Sequence, residues 1–398
     1  MEYAGNNKNI IKVALVRGDN LQEQEAKLWE NLGDRFETEA FCGKSNVFPL
    51  DNINLKIHQL PASSDNFFSK NYFKYFLGQY KRMFGLERIL ANFDIAHGGE
   101  VYNYYTLQCV RAKKLNPKLK VVVSFLDNIF GRFEYNYWPG FKMPPKYWRN
   151  RINAIVKEVI KGVDYFVAYT TYSAELLYDL GVKFDHVKVV QMGVFIDNYE
   201  DAVMDRLNLR GVEFSLVICR LVWQKGIYDI LYGWRMYRRW SGKHGQKLVI
   251  LGGGWEEDNI KRLIIDLGLS DSVIFAGSVP NKEVKQLYKF AHVTLMGSQA
   301  TRDWQEQTSN VLREAVVQNC PIISTDSGGN PEMVGSAGII VPAGSPVEIG
   351  RALLKLDDPV IYQTIKNNGL KEKDRFSVEL FRKEIADTYL SLLENKLD

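Results

Sequence analysis

Twice along this chain, short β-branched runs alternate with longer helical stretches, and this alternation limits the fold more than any other feature. In the first half the order is IIKVALV, LQEQEAKLWENLG, TEAFCG, INLKIHQL, a long aromatic helix, FDIAH, VYNYYTLQCVRAKK and KVVVSF, with DYFVAY and KVVQM following up to about position 192. From Glu213 it begins afresh: FSLVICR, a helix from Tyr228, KLVILGGG, a helix from Glu256, SVIFAG, a helix from Glu283, HVTLMG, a helix near Val311, PIIST and GIIVP. Strands separated by helices of this length form parallel sheets with helices on both faces. The pattern predicts an α/β protein of two doubly wound, Rossmann-like domains. Gly33, after Leu32, suits the end of the first helix, because glycine enters the left-handed region freely.

Between the two runs, GVFIDNYEDAVMDRLNLRG is polar, lacks strand periodicity and ends in glycine, which places the hinge there. We expect an N-terminal domain over 1–194, a second domain over 195–375 and a terminal helix over 376–398 that packs back toward the first domain. That helix is read from SVELFRKEIADTYLSLLENKLD, with apolar residues at helical spacing and Ser377 as N-cap. A chain of 398 residues is long enough for each half to bury its own core. The cleft expected between two such domains is where a ligand would bind.

Composition removes several function classes. A hydrophobic share of 46% and a charged share of 25% are those of a globular chain. The net charge of +4 is too small for the concentrated basic footprint of a nucleic-acid binder, while phosphate-bearing small ligands remain compatible. Cys42, Cys109, Cys219 and Cys320 are scattered without a C-x-x-C pair or a histidine cluster, so neither a disulfide framework nor a metal site is expected. The opening MEYAGNNKNIIKVALVRG lacks the basic and apolar regions of a secretion signal, and no apolar run reaches the roughly 20 residues that span a bilayer. The expectation is a cytoplasmic protein.

Chemistry-bearing residues gather at predicted strand ends. WQEQTSNVLREAVVQNCPIIST sets Glu306 and Glu314 seven residues apart, just before a buried strand. A carboxylate can take both hydroxyl protons of a diol, in charge-assisted bonds of roughly 1.5–3 kcal/mol each. Alone, two such glutamates also read as surface residues. ICRLVWQKG puts Arg220 and Lys225 right after the first strand of the second domain, at the carboxyl edge where doubly wound sheets bind ligands. In LVILGGGWEED, Gly252, Gly253 and Gly254 would let a backbone approach a nucleotide, and a tight strand-helix turn explains them equally well. STDSGGNPEMVG brings Gly328, Gly329 and Glu332 after the next strand, either as a phosphate-side loop or as an ordinary turn. VRGDNLQ holds Gly18 at the first strand-helix turn, with Asp19 and Asn20 as candidate helix caps.

In this order, the segments resemble the retaining transferases of glycosyltransferase family 4, the glycosyl transferases group 1. The resemblance covers most of the chain, and its specific motifs lie between Arg220 and Glu332. It implies the GT-B arrangement, two Rossmann-like domains facing across a cleft with 1–194 on the acceptor side and 195–375 binding the nucleotide sugar, and a hexosyl transfer from a nucleotide-diphosphate sugar as co-substrate, with no cofactor. Glu306 would accept bonds from the donor sugar and Glu314 from the ribose. Arg220 and Lys225 would hold the diphosphate, and their charge would stabilise the departing nucleotide without a metal. Gly18, Gly252, Gly254, Gly328 and Gly329 would line the donor.

Two departures from that pattern matter. The family's Phe-Gly after the first glutamate is Thr308-Ser309 here, and Leu126 stands where many members carry a histidine. Leucine neither donates nor accepts a proton. Asp127 and His97 are the candidates to serve in its place, although His97 also reads as a satisfied histidine at a strand end. The acceptor is expected to be a glycan, a lipid or a small molecule. NFFSKNYFKYFLGQYKRMFGLERIL and FGRFEYNYWPGFKMPPKYWRNR interleave aromatics with Lys and Arg, which suits either peripheral membrane contact or aromatics facing their own core. A nucleotide-sugar epimerase, a phosphorylase, and a sugar-nucleotide-binding scaffold without turnover are the competing readings.

Overall fold

The computed structural model describes residues 10–65, 82–127, 146–196, 202–301 and 304–394. The chain divides into two compact units, Met1–Gly193 with Val378–Asp398, and Val194–Ser377.

The sheet of the first unit contains β1 (Ile11–Gly18), β2 (Phe36–Gly43), β3 (Lys56–Leu60), β4 (Ile95–Gly99), β5 (Lys120–Phe125), β6 (Tyr165–Ala168) and β7 (Val187–Val189). Their order is β3-β2-β1-β4-β5-β6-β7, and every neighbouring pair is parallel. Central strands are buried on both faces, as β4 is over its whole length, whereas β3 at the edge is half exposed. This is why β4 and β5 read as near-continuous apolar runs. The helix Val378–Leu393 belongs to this unit and buries Phe381, Ile385, Tyr389 and Leu392, one stripe at helical spacing.

The second unit repeats the design with β8 (Phe214–Ile218), β9 (Lys247–Leu251), β10 (Val273–Gly277), β11 (Val293–Met296), β12 (Ile322–Thr325) and β13 (Gly338–Val341). The order is β10-β9-β8-β11-β12-β13, again parallel throughout. One face packs under Trp234, Tyr237 and Leu353, and the other under Tyr288, Leu312 and Phe376. In each unit the chain builds outward from a central strand and then reverses, so the strand order switches between β1 and β4 and between β8 and β11. Ligands of such sheets bind outside the carboxyl ends at those points.

Some local expectations change. The first helix covers only Glu23–Leu28, because Trp29 caps it and turns into the core with Leu32. Gly33, at φ +114°, closes the turn into β2. Of INLKIHQL, only Lys56–Leu60 pairs with β2. The aromatic helix read from Phe67 lies largely outside the described residues, as does most of FGRFEYNYWPGFKMPPKYWRNR. Among the described residues no helix is long and apolar enough to cross a membrane, and all four cysteines are free.

Candidate functional site

In the second unit, β8 ends into Cys219 and Arg220, then a short turn Trp223–Lys225, and the helix Ile227–Ser241 begins after Gly226. Gly226 has φ +64°, and a Cβ built on it would lie 1.7 Å from the carbonyl oxygen of Gly297. Gly297 directly follows β11, so two glycines in contact let the loops after the two switch-point strands touch. Across that contact Lys225 Nζ donates to both oxygens of Glu306, at 2.9 Å to Oε1 and 2.7 Å to Oε2. The two side chains are only 14% and 11% exposed. Ser298 Oγ donates to Glu306 Oε2 at 2.7 Å. The Lys225 ammonium lies 5.2 Å from the centre of the Trp304 ring, within cation–π reach.

The Glu306 backbone is held on both sides. Its N–H donates to Ser327 Oγ at 3.2 Å, and its carbonyl accepts from Gly329 N–H at 3.0 Å. Ser327 Oγ donates in turn to Gln299 O at 2.7 Å. Glu306 is thus a fixed carboxylate at the carboxyl edge of the sheet, next to an ammonium on a flexible stem. Arg220 stands exposed at the same edge, without an ion pair among the described residues.

Glu314 lies on the helix Asn310–Val317, whose N-cap Ser309 accepts a bond from Leu312 N–H. The serine that departs from the expected Phe-Gly pair therefore has a local structural use. Glu314 is buried and its Oε2 accepts from the Tyr288 hydroxyl at 3.1 Å. Burial raises its carboxyl pKa, opposed by the Tyr288 bond and by the charges of Lys285 and Arg313. Lys285, a buried lysine, donates to Phe195 O at 2.8 Å.

The glycines divide between packing and site. A Cβ at Gly252, which has φ +128°, would sit 1.9 Å from Cys219 O, and one at Gly254 would sit 2.3 Å from Leu221 O. Close approach of the β8 and β9 loops accounts for both. Gly328, at φ +53°, makes the turn that lets Gly329 bond to Glu306. The Gly329 N–H is already used there.

In the first unit, Gly18 ends β1 at φ +55°, and a Cβ there would lie 2.6 Å from the Tyr105 ring. The expected capping by Asp19 and Asn20 is not what occurs: Gln22 is the N-cap of the first helix, and buried Asp19 accepts from Ser45 Oγ at 2.8 Å. His97, inside β4, is fully buried. Its Nδ1 meets the Tyr389 hydroxyl at 2.5 Å and its Nε2 meets Ser124 Oγ at 2.7 Å. Trp29 Nε1 donates to the same Tyr389 oxygen at 3.1 Å, which leaves the tyrosine proton for Nδ1 and the ring proton on Nε2. Burial, then the charge of Arg17, pushes the His97 pKa well below its ordinary value, so the ring is neutral. Both nitrogens are engaged, and the histidine ties β4 to the terminal helix. Asp127 is buried just beyond β5 and bonds with the Tyr102 hydroxyl. Leu126 contributes backbone only, its N–H donating to Glu100 at 3.0 Å and its carbonyl accepting from Ser173 at 2.9 Å.

Sequence reading singled out Lys225, Glu306 and Glu314, but not Ser298, Trp304, Ser327, Tyr288 or the Gly226–Gly297 contact. Ser298 and Ser327 each follow a strand of the second sheet within two residues, a placement that the amino-acid pattern alone marks as a site edge. Among the described residues no group of three His, Cys, Asp or Glu could hold a metal ion.

Residues 204–372 match the family model Glycosyl transferases group 1. The lipopolysaccharide core biosynthesis glycosyltransferase LpsE of Rhizobium meliloti is 26% identical over 328 residues, covering 79% of this chain and 83% of LpsE. The crystal structure of Anabaena HepE in complex with UDP superposes with a TM-score of 0.73 at 16% identity, covering 96% of this chain and 100% of that one. The structure of WaaG, a glycosyltransferase involved in lipopolysaccharide biosynthesis, gives 0.65 at 15% identity, with 95% and 99% covered.

Proposed function

We propose that this chain, which carries a glycosyl transferases group 1 domain over residues 204–372, is a cytoplasmic hexosyltransferase that moves a sugar from a nucleotide-diphosphate sugar to a glycan, lipid-linked or small-molecule acceptor with retention. The observation that carries the reading is the meeting of Lys225 and Glu306 at the β8/β11 switch point, with exposed Arg220 on the same edge.

Arg220 and Lys225 take the diphosphate, and their charge stabilises the negative charge that builds as it departs. Glu306 accepts from the sugar hydroxyls and Glu314 from the ribose diol, each carboxylate offering two acceptor oxygens. The bond from the anomeric carbon to the phosphate oxygen breaks while the bond to the acceptor oxygen forms on the same face. The acceptor proton passes to the departing phosphate oxygen, so no metal and no cofactor is needed. Buried Asp127 is the polar group assigned to orient the acceptor. His97, with both nitrogens engaged, acts there only through Ser124 and the end of β5. A lipid-linked acceptor brings the enzyme to a membrane surface.

Incubation with UDP-, GDP- and ADP-sugars and an extract of glycans and lipids, followed by mass spectrometry and proton NMR of the product, tests this. A glycoside with the donor's anomeric configuration is expected. Inverted product, or donor binding with no turnover on any acceptor, would overturn it.

A further inference from the structure

Lys225 and Glu306, assigned to different parts of the donor, are bonded to each other. We infer that the pair is a latch: a diphosphate seated at this edge draws Lys225 away, and the carboxylate becomes available to the sugar only then. This rests on the assignment of Lys225 to the diphosphate and Glu306 to the sugar.

The two partners differ in freedom. Glu306 is fixed by Ser298 at its Oε2 and by backbone bonds on both sides, to Ser327 Oγ and from Gly329 N–H. Lys225 is held at its far end by that carboxylate, at 2.7 and 2.9 Å, with the Trp304 face 5.2 Å away. The ammonium is therefore the part that moves, and a four-carbon stem lets it do so without disturbing the Gly226–Gly297 contact.

Acceptor capacity points the same way. An ionised carboxylate has about four lone-pair sites. Lys225 and Ser298 fill three of them, leaving too few for two sugar hydroxyls. Withdrawal of Lys225 releases one site on each oxygen, which is what a pair of hydroxyls needs. Arg220, exposed on the same edge, is the cation placed to meet the diphosphate first. The order of events is then diphosphate to Arg220, Lys225 to diphosphate, Glu306 to sugar. A latch also lowers diphosphate affinity: if the pair is closed nine-tenths of the time, apparent affinity falls about tenfold.

The test is calorimetric titration of the parent, Glu306→Gln, Lys225→Met and the double variant with UDP, GDP and ADP, and with uridine, guanosine and adenosine as controls. Glutamine keeps the shape and can still accept from Ser298, but it lacks the negative charge and the second acceptor oxygen that hold the ammonium. Glu306→Gln should bind its diphosphate roughly threefold to tenfold more tightly than the parent, although it should transfer no sugar. The nucleoside controls should not change. Glu306→Ala, run beside it, should tighten likewise. The double variant should bind like Lys225→Met alone. Unchanged or weaker diphosphate binding in both Glu306 variants overturns the latch. Tightening that persists undiminished with Met at 225 also overturns it, because direct repulsion between carboxylate and phosphate would then be the cause. A parent that binds no diphosphate refutes the donor assignment itself, and the latch with it.

Discussion

Replacing Gly226 by alanine should separate two loops that the site needs together, and the structure supplies its own control. Gly226 and Gly242 bracket the same helix and have nearly the same backbone, at φ +64° and +67°. A Cβ at Gly242 meets nothing within 4 Å, whereas one at Gly226 lies 1.7 Å from Gly297 O. Both alanines incur the left-handed penalty of about 1–2 kcal/mol. Only Gly226→Ala must also push the β11 loop aside, by more than about 1 Å if a normal van der Waals separation is to be restored, which adds about 1–3 kcal/mol of overpacking. The expected losses are about 1–2 kcal/mol for Gly242→Ala and about 2–5 kcal/mol for Gly226→Ala. Urea unfolding followed by tryptophan fluorescence reads the difference. Diphosphate titration should show a changed affinity in Gly226→Ala alone, since parting the loops both displaces Lys225 and separates it from Glu306. Equal destabilisation by the two alanines would refute the claim that close approach requires glycine at 226.

The remaining predictions concern single side chains. Glu306→Ala should abolish most transfer yet bind free nucleoside diphosphate no less tightly than the parent, while Glu314→Ala should weaken nucleotide and sugar nucleotide alike; unchanged nucleotide affinity in Glu314→Ala removes the ribose assignment. Because burial raises the Glu314 pKa, nucleotide affinity should fall on acidification at a pH above that at which an exposed glutamate, pKa about 4.3, would titrate. The same shift means that the group's contribution to stability declines as pH rises from the ordinary glutamate value through the raised one, and Glu314→Gln should flatten both dependences. Tyr389→Phe leaves Trp29 and His97 each short of a partner, so a loss of about 1–3 kcal/mol is expected in thermal unfolding, with nucleotide affinity unchanged. Asp127→Asn should cut transfer by roughly two powers of ten while donor binding survives, and full activity would show that Asp127 does not orient the acceptor.

The central strands were legible because they are short apolar runs buried on both faces, and the helices between them announce parallel pairing. KVVVSF, PIIST and KLVIL fall within a residue or two of β5, β12 and β9. Helix length was harder: nothing in LQEQEAKLWENLG announces that Trp29 leaves the helix for the core. The site was legible residue by residue but not as a geometry. Lys225 and Glu306 are 81 positions apart and meet only because Gly226 and Gly297 touch, a contact without local signature. His97 reads as a candidate from β4 alone, yet its partner Tyr389 comes from a helix 292 residues later. Gly252 and Gly254 show the opposite limit, since one backbone contact each suffices to explain residues that look like a nucleotide loop.

The proposed function requires the second unit to recognise a nucleotide-diphosphate sugar through these carboxylates. Thermal shift of the parent and of Glu314→Ala against UDP-, GDP- and ADP-sugars measures it in one experiment. Donors of one base should raise the parent's melting temperature, and Glu314→Ala should lose most of that rise. No shift with any donor, or an equal shift in both proteins, would contradict it.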